Sequence, residues 1–323
     1  MSYELTAFGE ILIDFTHTNP GEEGAALFAQ NPGGAPGNVC VAVSRLGGKS
    51  AFLGKVGDDM HGRLLRDVLD KEGVSTKGLL TDPNTFTTLA FVSVDDNGER
   101  SFSFARKPGA DTQMSAEELD VDEIAQGDIF HVGSLSLTHE PARSATLFGL
   151  KKAKELGKMV SYDPNYRASL WNSEEEAIEA MRSLIPYADI MKISDEETAL
   201  LTGKEDPEEA AKALIDQGVK IAAITLGSKG ALVANKEGTA VVGGFKSDVA
   251  DTNGAGDSFW GTMLYQIADS KKRPEELSLD ELKDMVRFAN AAAALTCRKH
   301  GAIPALPSKE DVVAFLAEED KKA

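Results

Sequence analysis

The stretch "DTNGAGDSFWG", residues 251–261, places small residues between two aspartates just before the chain turns apolar. From Phe259 onward, apolar residues recur at i, i+4 and i+8, which predicts a helix starting at Gly256. The N–H groups at its beginning lack helical partners and suit a phosphate oxygen; they belong to Gly254, Ala255 and Gly256. Asp257 would lie in the first turn, where the helix dipole keeps a carboxylate ionised and able to accept a proton from a hydroxyl group.

Two interpretations of this stretch are open. An Asp or Asn could simply cap a helix while the glycines turn the chain, whereas donor N–H groups beside a base are the minimum for phosphoryl transfer. The stretch lacks the Walker A pattern G-x-x-x-x-G-K-[ST]. It also differs from the dinucleotide fingerprint, because it lies far from the first strand and has Phe259 in place of the third glycine.

The rest of the chain alternates between predicted strands and helices. "LTAFGEILIDF" is predicted as one buried strand ending at Asp14, and a glycine-rich turn then opens a helix in "NPGGAPGNVCVAVSRLGG". "SAFLGKVG" is predicted as a strand, followed by an amphipathic helix capped by Asp58. From residue 128 the alternation resumes and continues to a terminal helix at 308–318. This order predicts an α/β fold of three layers, α/β/α, around a mostly parallel sheet.

Residues 84–111 break the alternation. "TTLAFVSVDDNGERSFSFAR" contains two strand-like runs joined by Asp96-Asn97-Gly98, a strong hairpin signal. We therefore predict a single domain over residues 1–323 with a small β lid from about 15–30 and 84–111. An exposed lid hairpin offers strand edges that could pair two subunits into a homodimer.

Polar residues are expected to gather where the parallel strands end, since ligands of open α/β sheets bind there. Candidates from four strand ends are Asp14, then Asp163 with Asn165 and Arg167, then Ser194 to Glu197, and Thr225 to Gly230. "PGGAPGNV" adds Gly33 and Gly34, which let a ligand approach the backbone, and Asn38, which can donate and accept hydrogen bonds. A plain entry into a helix explains that last segment equally well.

Composition restricts the function further. The 323 residues carry a net charge of −18, which argues against a nucleic-acid groove because phosphate neutralisation needs clustered Lys and Arg. No apolar run approaches the roughly 18 residues of a membrane span, and the first residues lack a signal-peptide pattern, so a cytoplasmic protein is expected. The two cysteines, Cys40 and Cys297, are predicted as helix residues without a disulfide, and the five histidines show no metal-ligand spacing.

The early "GGAPGNVCVAVSRLG" and the late "DTNGAGDSFWG" together resemble the two signature segments of the ribokinase-like (PfkB) sugar kinases, and the resemblance covers nearly the whole chain. Within that family, "FSFARKPGAD", "VGSLSL", "SYDPNYRASLW" and "KISDEETALLTG" are similar to segments of bacterial and plant fructokinases. The resemblance implies the ribokinase-like fold with a small lid.

The resemblance also implies a role for each matching position. Asp257 would be the catalytic base beside an anion hole made by Gly254, Ala255 and Gly256, and Arg167 would approach the substrate or the transferring phosphate. The other sugar contacts would be Asp14, Gly33, Gly34, Asn38 and the lid residue Arg106, with Asp111 near it in the lid. For Arg167 a surface ion pair, and for Arg106 a charged hairpin face, are the alternatives.

The nucleotide side would use Thr225, Gly227, Gly230 and Asn290, while the alanines at 291–294 are expected simply to allow close helix packing. Glu197 matches the acid that orders the water around Mg²⁺ in this family, although Ser194 stands where an Asn is usual. Asp251 and Asn253, with the backbone around Gly301, match a site for a monovalent cation such as K⁺.

The resulting hypothesis is an ATP-dependent fructokinase that uses ATP and Mg²⁺. A kinase for 2-keto-3-deoxygluconate, ribose or a nucleoside is the alternative within the family, since Arg106 and Arg167 could both meet a sugar-acid carboxylate. A non-catalytic sugar-binding regulator is the alternative from another class, and a nicotinamide oxidoreductase fits the motifs least well.

Overall fold

Residues 2–18, 26–94 and 100–322 are described by a computed structural model, in which strands and helices alternate along most of the chain. The strands are β1 Tyr3–Phe8, β2 Leu12–His17, β3 Phe28–Gly33, β4 Ser50–Gly57, β5 Leu79–Asp82, β6 Leu89–Val94, β7 Arg100–Ala105, β8 Gly127–Val132, β9 Met159–Tyr162, β10 Ile190–Ser194, β11 Ile221–Thr225, β12 Ala231–Asn235 and β13 Gly238–Val242. The helices are α1 Ala35–Arg45, α2 Met60–Lys71, α3 Val121–Gln126, α4 Ala142–Glu155, α5 Glu174–Arg182, α6 Thr198–Thr202, α7 Pro207–Asp216, α8 Ala255–Asp269, α9 Leu279–Thr296 and α10 Lys309–Asp320.

The central sheet has nine strands in the order β13-β12-β11-β10-β9-β8-β1-β4-β5. All neighbours pair in parallel except β12 and β13, which add an antiparallel edge. One hydrophobic core packs α1, α2, α8 and α9 against one face, and a second packs α3 to α7 against the other. The predicted three-layer α/β/α arrangement is therefore confirmed.

The apolar run at residues 5–15 forms two strands, so the prediction of one continuous strand is wrong. β1 lies in the central sheet, whereas β2 belongs to a second sheet. The chain changes sheets around Gly9, where a side chain would collide with Pro36 of the first helix. An apolar pattern reports burial but does not say which sheet buries it, and the break moves Asp14 from the end of β1 into β2.

The second sheet has four strands in the order β3-β2-β6-β7. β6 and β7 pair antiparallel, from Leu89 opposite Ala105 onward, as the hairpin pattern predicted. The turn assigned to Asp96-Asn97-Gly98 lies outside the described residues. Whether this sheet acts as a lid remains a prediction. Its strand β3, Phe28–Gly33, overlaps the predicted lid segment 15–30 only at residues 28–30.

Helix ends follow local polar chemistry. The N-cap of α2 is Asp59, whose side chain accepts from the backbone N–H of His61 and Gly62, so the predicted cap at Asp58 is off by one residue. In the part of the chain that the structure describes, no helix has both the length and the apolar character needed to cross a bilayer.

Candidate active site

The helix that follows "DTNGAG" begins one residue before its predicted start at Gly256, and its first turn meets that of α1. α8 starts at Ala255 behind Gly254, whose φ of 76° is the left-handed conformation that favours glycine. Asn38 in α1 donates a hydrogen bond from Nδ2 to Asp257 Oδ2 at 2.7 Å, joining positions 219 residues apart. The two signature segments of the sequence therefore form one site.

Gly34 sets the entry to α1. Its φ is 110°, and a side chain there would lie 2.7 Å from Glu10 O and 2.8 Å from Ile11 Cα. Only glycine accommodates both this conformation and this contact. The tight turn brings Asn38 to the site, where its Oδ1 is buried and has no hydrogen-bond partner among the described residues.

Asp257 lies at the boundary between two cavities, with part of its surface accessible. Removal from water is the largest influence on its carboxyl group and raises its pKa above the ordinary value of 3.8. The hydrogen bond from Asn38 and the charge of Lys192 act in the opposite direction. A carboxylate with a raised pKa accepts a proton more readily at neutral pH, as a general base must.

The smaller cavity, of about 50 Å³, opens beside Asp257 and the inner face of the second sheet. Seven of the predicted residues line it: Asp14, Gly34, Asn38, Asn165, Arg167, Asn253 and Asp257. Gly33 lies directly beside it, since a side chain on Gly33 would overlap Asp14 Oδ2. We call this the sugar-side cavity.

Asp14 reaches the sugar-side cavity from β2. Burial raises its pKa to about 6, despite a hydrogen bond from Asn253 Nδ2 to Asp14 Oδ2 at 3.4 Å and the nearby charge of Arg167. Arg167 lines the same cavity and donates from Nη1 to Tyr166 O at 2.9 Å. Asp14 and Arg167, which were predicted separately, therefore line the same cavity.

Glu10 also lines this cavity, although it was not among the predicted site residues. Its Oε1 accepts from Ala35 N at 3.0 Å, its Oε2 is buried without a partner in the described residues, and burial raises its pKa to about 8. The signal in the sequence was an acidic residue inside an apolar run. The structure adds that this acid supports the first turn of α1.

Arg106 and Asp111 form a buried ion pair rather than a charged surface. Arg106 Nε lies 2.8 Å from Asp111 Oδ2, and its Nη1 and Nη2 donate to Thr138 Oγ1 and Leu135 O. Thr88 Oγ1 donates to the other oxygen of Asp111. The guanidinium is thus occupied by protein groups here, and the sugar contact predicted for Arg106 remains a prediction that requires these bonds to rearrange.

Glu197 is held by three donors. Its Oε1 accepts from Tyr166 N at 2.7 Å, and its Oε2 accepts from Ser194 N at 2.7 Å and Ser194 Oγ at 3.0 Å. Ser194 and Glu197 form a capping box at the end of β10. The serine found in place of the usual Asn therefore has a local function, which is to fix the carboxylate.

The larger cavity, of about 660 Å³, lies on the other side of the α8 N-terminus. Its walls are mainly backbone and small side chains, and they include all four predicted nucleotide residues: Thr225, Gly227, Gly230 and Asn290. Asn290 Nδ2 donates to Val242 O and Gly243 O, which leaves Oδ1 as its group available to a ligand. We call this the nucleotide-side cavity.

The N–H groups of the predicted anion hole lie between the two cavities. Ala255 N donates to Thr252 O at 3.3 Å. In the described part of the chain, Gly254 N and Gly256 N have no acceptor. Ala255 and Gly256 border the nucleotide-side cavity, and Asp257 borders the sugar-side cavity.

Asp251 and Asn253 lie just before α8 and contact the loop at Gly301. Asp251 Oδ1 accepts from Asn253 N at 2.9 Å and its Oδ2 accepts from Gly301 N at 3.0 Å. The sequence predicted that these three positions would come together, and they do.

Lys192, in β10, is a second residue that sequence reasoning missed. Its Nζ donates to Asp163 Oδ2 at 2.8 Å, and both side chains are buried. A Cβ atom at Gly256 would lie 3.2 Å from Lys192 Nζ. A lysine inside an otherwise apolar strand was the available signal.

This chain is similar to carbohydrate kinases along its length. The pattern of the pfkB family carbohydrate kinase matches residues 3–309. Probable fructokinase-4 of Arabidopsis thaliana is 44% identical over 315 residues, which cover 97% of this chain and 96% of that protein.

Two solved structures have the same fold. A fructokinase from Xylella fastidiosa with bound ATP superposes with a TM-score of 0.91 at 33% identity, covering 98% of this chain and 99% of the other. A double-mutant fructokinase from Vibrio cholerae O395, with fructose, ADP and potassium ion bound, has a TM-score of 0.86 at 34% identity, with coverage of 98% and 99%.

Proposed function

The chain belongs to the pfkB family of carbohydrate kinases, and we propose that it is an ATP-dependent fructokinase that converts D-fructose and ATP to fructose 6-phosphate and ADP. The observation that carries the proposal is the position of Asp257. It lies at the start of α8 between a small polar cavity and a large cavity walled by backbone, with free N–H groups beside it.

Asp257 acts as the base. It accepts the proton of the primary hydroxyl as that oxygen bonds to the γ-phosphorus of ATP, and the bond from phosphorus to the ADP oxygen breaks. Asn38 orients the carboxylate through its 2.7 Å hydrogen bond. The amides of Gly254 and Gly256 donate to the phosphoryl oxygens as negative charge shifts toward them.

The sugar is held on the opposite side from ATP. Asp14 accepts hydrogen bonds from sugar hydroxyls, Asn38 offers a free carbonyl oxygen, and Arg167 contacts the substrate or the transferred group. The backbone at Gly33 and Gly34 allows close approach, and closure of the second sheet excludes water. Arg106 can contact the sugar only if its guanidinium group gives up hydrogen bonds to its present protein partners.

The residues present fit Mg²⁺ bound together with ATP. Among the described residues, no group of three or more His, Cys, Asp or Glu side chains forms a metal site. Mg²⁺ in kinases is held mainly by phosphates, waters and one or two carboxylates, and Glu197 would hold it through water. When bound, the ion neutralises phosphate charge. The three donors on Glu197 keep its carboxylate in place.

A monovalent cation such as K⁺ would use Asp251, Asn253 and the backbone near Gly301. Asp251 is buried and bridges the two segments through its two oxygens, which is the arrangement that such an ion would join. If the ion binds, it ties the start of α8 to the loop at Gly301 and so steadies the anion hole.

A homodimer through the second sheet also forms part of the proposal. The face opposite Asp14 carries stacked Phe15 and Phe91, with ring centroids 5.4 Å apart, and Phe28 packs against Phe91 while remaining 42% exposed. An exposed aromatic face on a sheet with open edges favours association. Light scattering of the protein, and of Phe28→Ser, tests it: a monomer in the unsubstituted protein contradicts the dimer. The cytoplasmic location is likewise proposed from the sequence.

The deciding experiment is a kinase assay with coupled ADP detection over a panel of fructose, 2-keto-3-deoxygluconate, ribose and a nucleoside, in potassium and in sodium salts. We expect the highest kcat/KM with fructose and faster turnover in potassium. A preference for another acceptor overturns the assignment of fructose as the substrate but leaves the kinase function standing. Sugar binding without ADP release supports the regulator instead, and equal rates in both salts contradict the cation site.

A further inference from the structure

Lys192 is a buried positive charge directly beside the predicted anion hole. Its side chain is 7% exposed, and its Nζ lies behind Gly256, close enough that a Cβ atom on that residue would come within 3.2 Å. Because glycine has no side chain, nothing separates the ammonium group from the backbone of the first α8 turn. The amide that has no acceptor and the lysine charge therefore occupy the same small volume.

The surroundings keep this lysine charged. Burial alone would lower the pKa of Lys192, but the carboxylates of Asp163, Glu197 and Asp257 together raise it above the ordinary 10.5. The site otherwise carries more acids than bases, in a chain of net charge −18. A polyphosphate bound there needs a local positive charge to offset that field.

A second buried lysine shows what a purely structural ion pair looks like in this protein. Lys55 Nζ donates to both oxygens of Glu118 at 2.7 Å and to Gln113 O at 2.9 Å, so all three of its donors are used. Lys192 Nζ donates one hydrogen bond within the described residues, to Asp163 Oδ2. Asp163 Oδ1 is buried with no partner there.

This contrast separates two functions for Lys192. If the lysine only neutralised Asp163, a saturated pair like that of Lys55 and Glu118 would be expected, because half-satisfied buried networks are costly. Its two further N–H donors and its position behind Gly256 instead suit a ligand that arrives at the anion hole.

We propose that Lys192 stabilises the negative charge of the phosphoryl group during transfer, acting through the gap that Gly256 leaves in the first turn of α8. The inference rests on the proposed kinase function and assigns to that reaction a residue beyond the base and the amides. Its contribution is electrostatic, and it arises from a charge fixed in place before the substrate binds.

The test compares three variants with the unsubstituted full-length protein: Lys192→Met, the double variant Lys192→Met with Asp163→Asn, and the matched control Lys55→Met. The double variant removes both charges of the pair, so it relieves the uncompensated buried carboxylate that the single change leaves. Melting temperature reports folding, and kcat and KM for ATP and for the best sugar of the panel report function.

We expect Lys192→Met to lose stability and the double variant to regain most of it, while kcat of both is about 10²-fold lower, similar to the loss of one oxyanion donor. The KM values should change by less than about threefold, because charge stabilised only in the transition state affects kcat rather than binding. Lys55→Met should lose stability and keep its kcat.

Binding of ADP with aluminium fluoride, which imitates the transferring phosphoryl group, gives a second measurement. Weaker binding of ADP with aluminium fluoride in the double variant, with ADP alone bound as before, supports the proposal. A folded double variant with unchanged kcat and unchanged aluminium fluoride binding overturns it and leaves the kinase intact. An unsubstituted protein that phosphorylates no sugar overturns the proposed function and this inference together.

Discussion

The sugar-side and nucleotide-side cavities meet at the N-terminus of α8 but are lined by different kinds of residue. The sugar-side cavity, of about 50 Å³, is lined mainly by charged and amide side chains, of which Glu10, Asp14 and Asn38 are buried. The nucleotide-side cavity, of about 660 Å³, is lined mostly by glycine, alanine, serine and threonine residues together with the larger apolar Phe245, Val249 and Phe259. A small ligand rich in hydroxyl groups needs a partner for each of them, whereas a nucleotide fills space and presents phosphates to backbone N–H groups.

The difference also appears in the proton affinities. Burial raises the pKa of Glu10 to about 8 and of Asp14 to about 6, and it raises that of Asp257 as well. All three groups line the sugar-side cavity. An acid whose pKa is raised by burial destabilises the fold when it is ionised, so the acids that would recognise the sugar are expected to lower the stability of the protein. Among the described residues, no acid with a raised pKa lines the nucleotide-side cavity.

The largest effect on activity is expected at Asp257, which lies between the two cavities. Asp257→Asn keeps the size of the side chain and removes the base, so kcat should fall by about 10²–10⁴, with ATP binding and the fold retained. Steady-state kinetics and nucleotide titration measure this. Near-normal turnover would remove Asp257 from the mechanism and with it the division of the site at this residue.

Glu10→Gln tests the stability cost of the sugar side. The folded pKa of about 8 exceeds the ordinary 4.5, so the folded state binds more protons between these values and its stability falls as pH rises through that range. At about 1.4 kcal/mol per tenfold change in proton affinity, the variant should gain about 2–4 kcal/mol in unfolding free energy at pH 9 and progressively less toward pH 5.

Urea unfolding at both pH values measures this gain, with exposed Glu179→Gln as the matched control that should change little. A gain that does not depend on pH would mean that ionisation of Glu10 is not the source of the cost.

Asp14→Asn should act on the sugar alone. Replacing the acceptor carboxylate should raise KM for fructose by about 10- to 100-fold and leave KM for ATP near its original value. Because the pKa of Asp14 is about 6, this group takes up a proton as pH falls through 6, so kcat/KM for fructose should decrease there.

The variant should lack that part of the pH profile, and exposed Asp67→Asn serves as the control. An equal rise in KM for ATP would contradict the separation of the two cavities.

The smallest effect is expected on the nucleotide side. Ala293 is partly exposed at the wall of that cavity, and Ala293→Leu should occupy space there. KM for ATP should rise severalfold, which corresponds to a loss of about 1 kcal/mol in the binding free energy of ATP, and KM for fructose should not change. Exposed Ala314→Leu adds the same side chain elsewhere. Unchanged KM for ATP would indicate that this wall does not contact the nucleotide.

Local patterns predicted the features that depend on sequence neighbours. The glycines and Asp257 lie at a helix N-terminus because the apolar residues after them have helical spacing. Asn38 lies in the first turn of α1, because helical spacing also follows the glycine turn before it. The alternation of strands and helices predicted the parallel sheet and the gathering of polar residues where its strands end. The position of a cap was less certain, since adjacent Asp58 and Asp59 are chemically alike and only the turn geometry selects Asp59.

Partners that lie far apart along the chain could not be predicted in the same way. The buried state of Arg106 depends on Thr138 and Leu135, and the role of Ser194 depends on the orientation of Glu197. Lys192 appeared in the sequence only as a charge inside a strand.

The sequence by itself determined the α/β class and the two signature segments, and it predicted Asp257 as the base, because spacing and turn chemistry act over a few residues. Tertiary structure alone decided that one apolar run serves two sheets, that burial raises the pKa of Glu10 to about 8, and that Lys192 lies behind Gly256. Those properties arise from burial and from distances between remote segments, which the order of residues does not record.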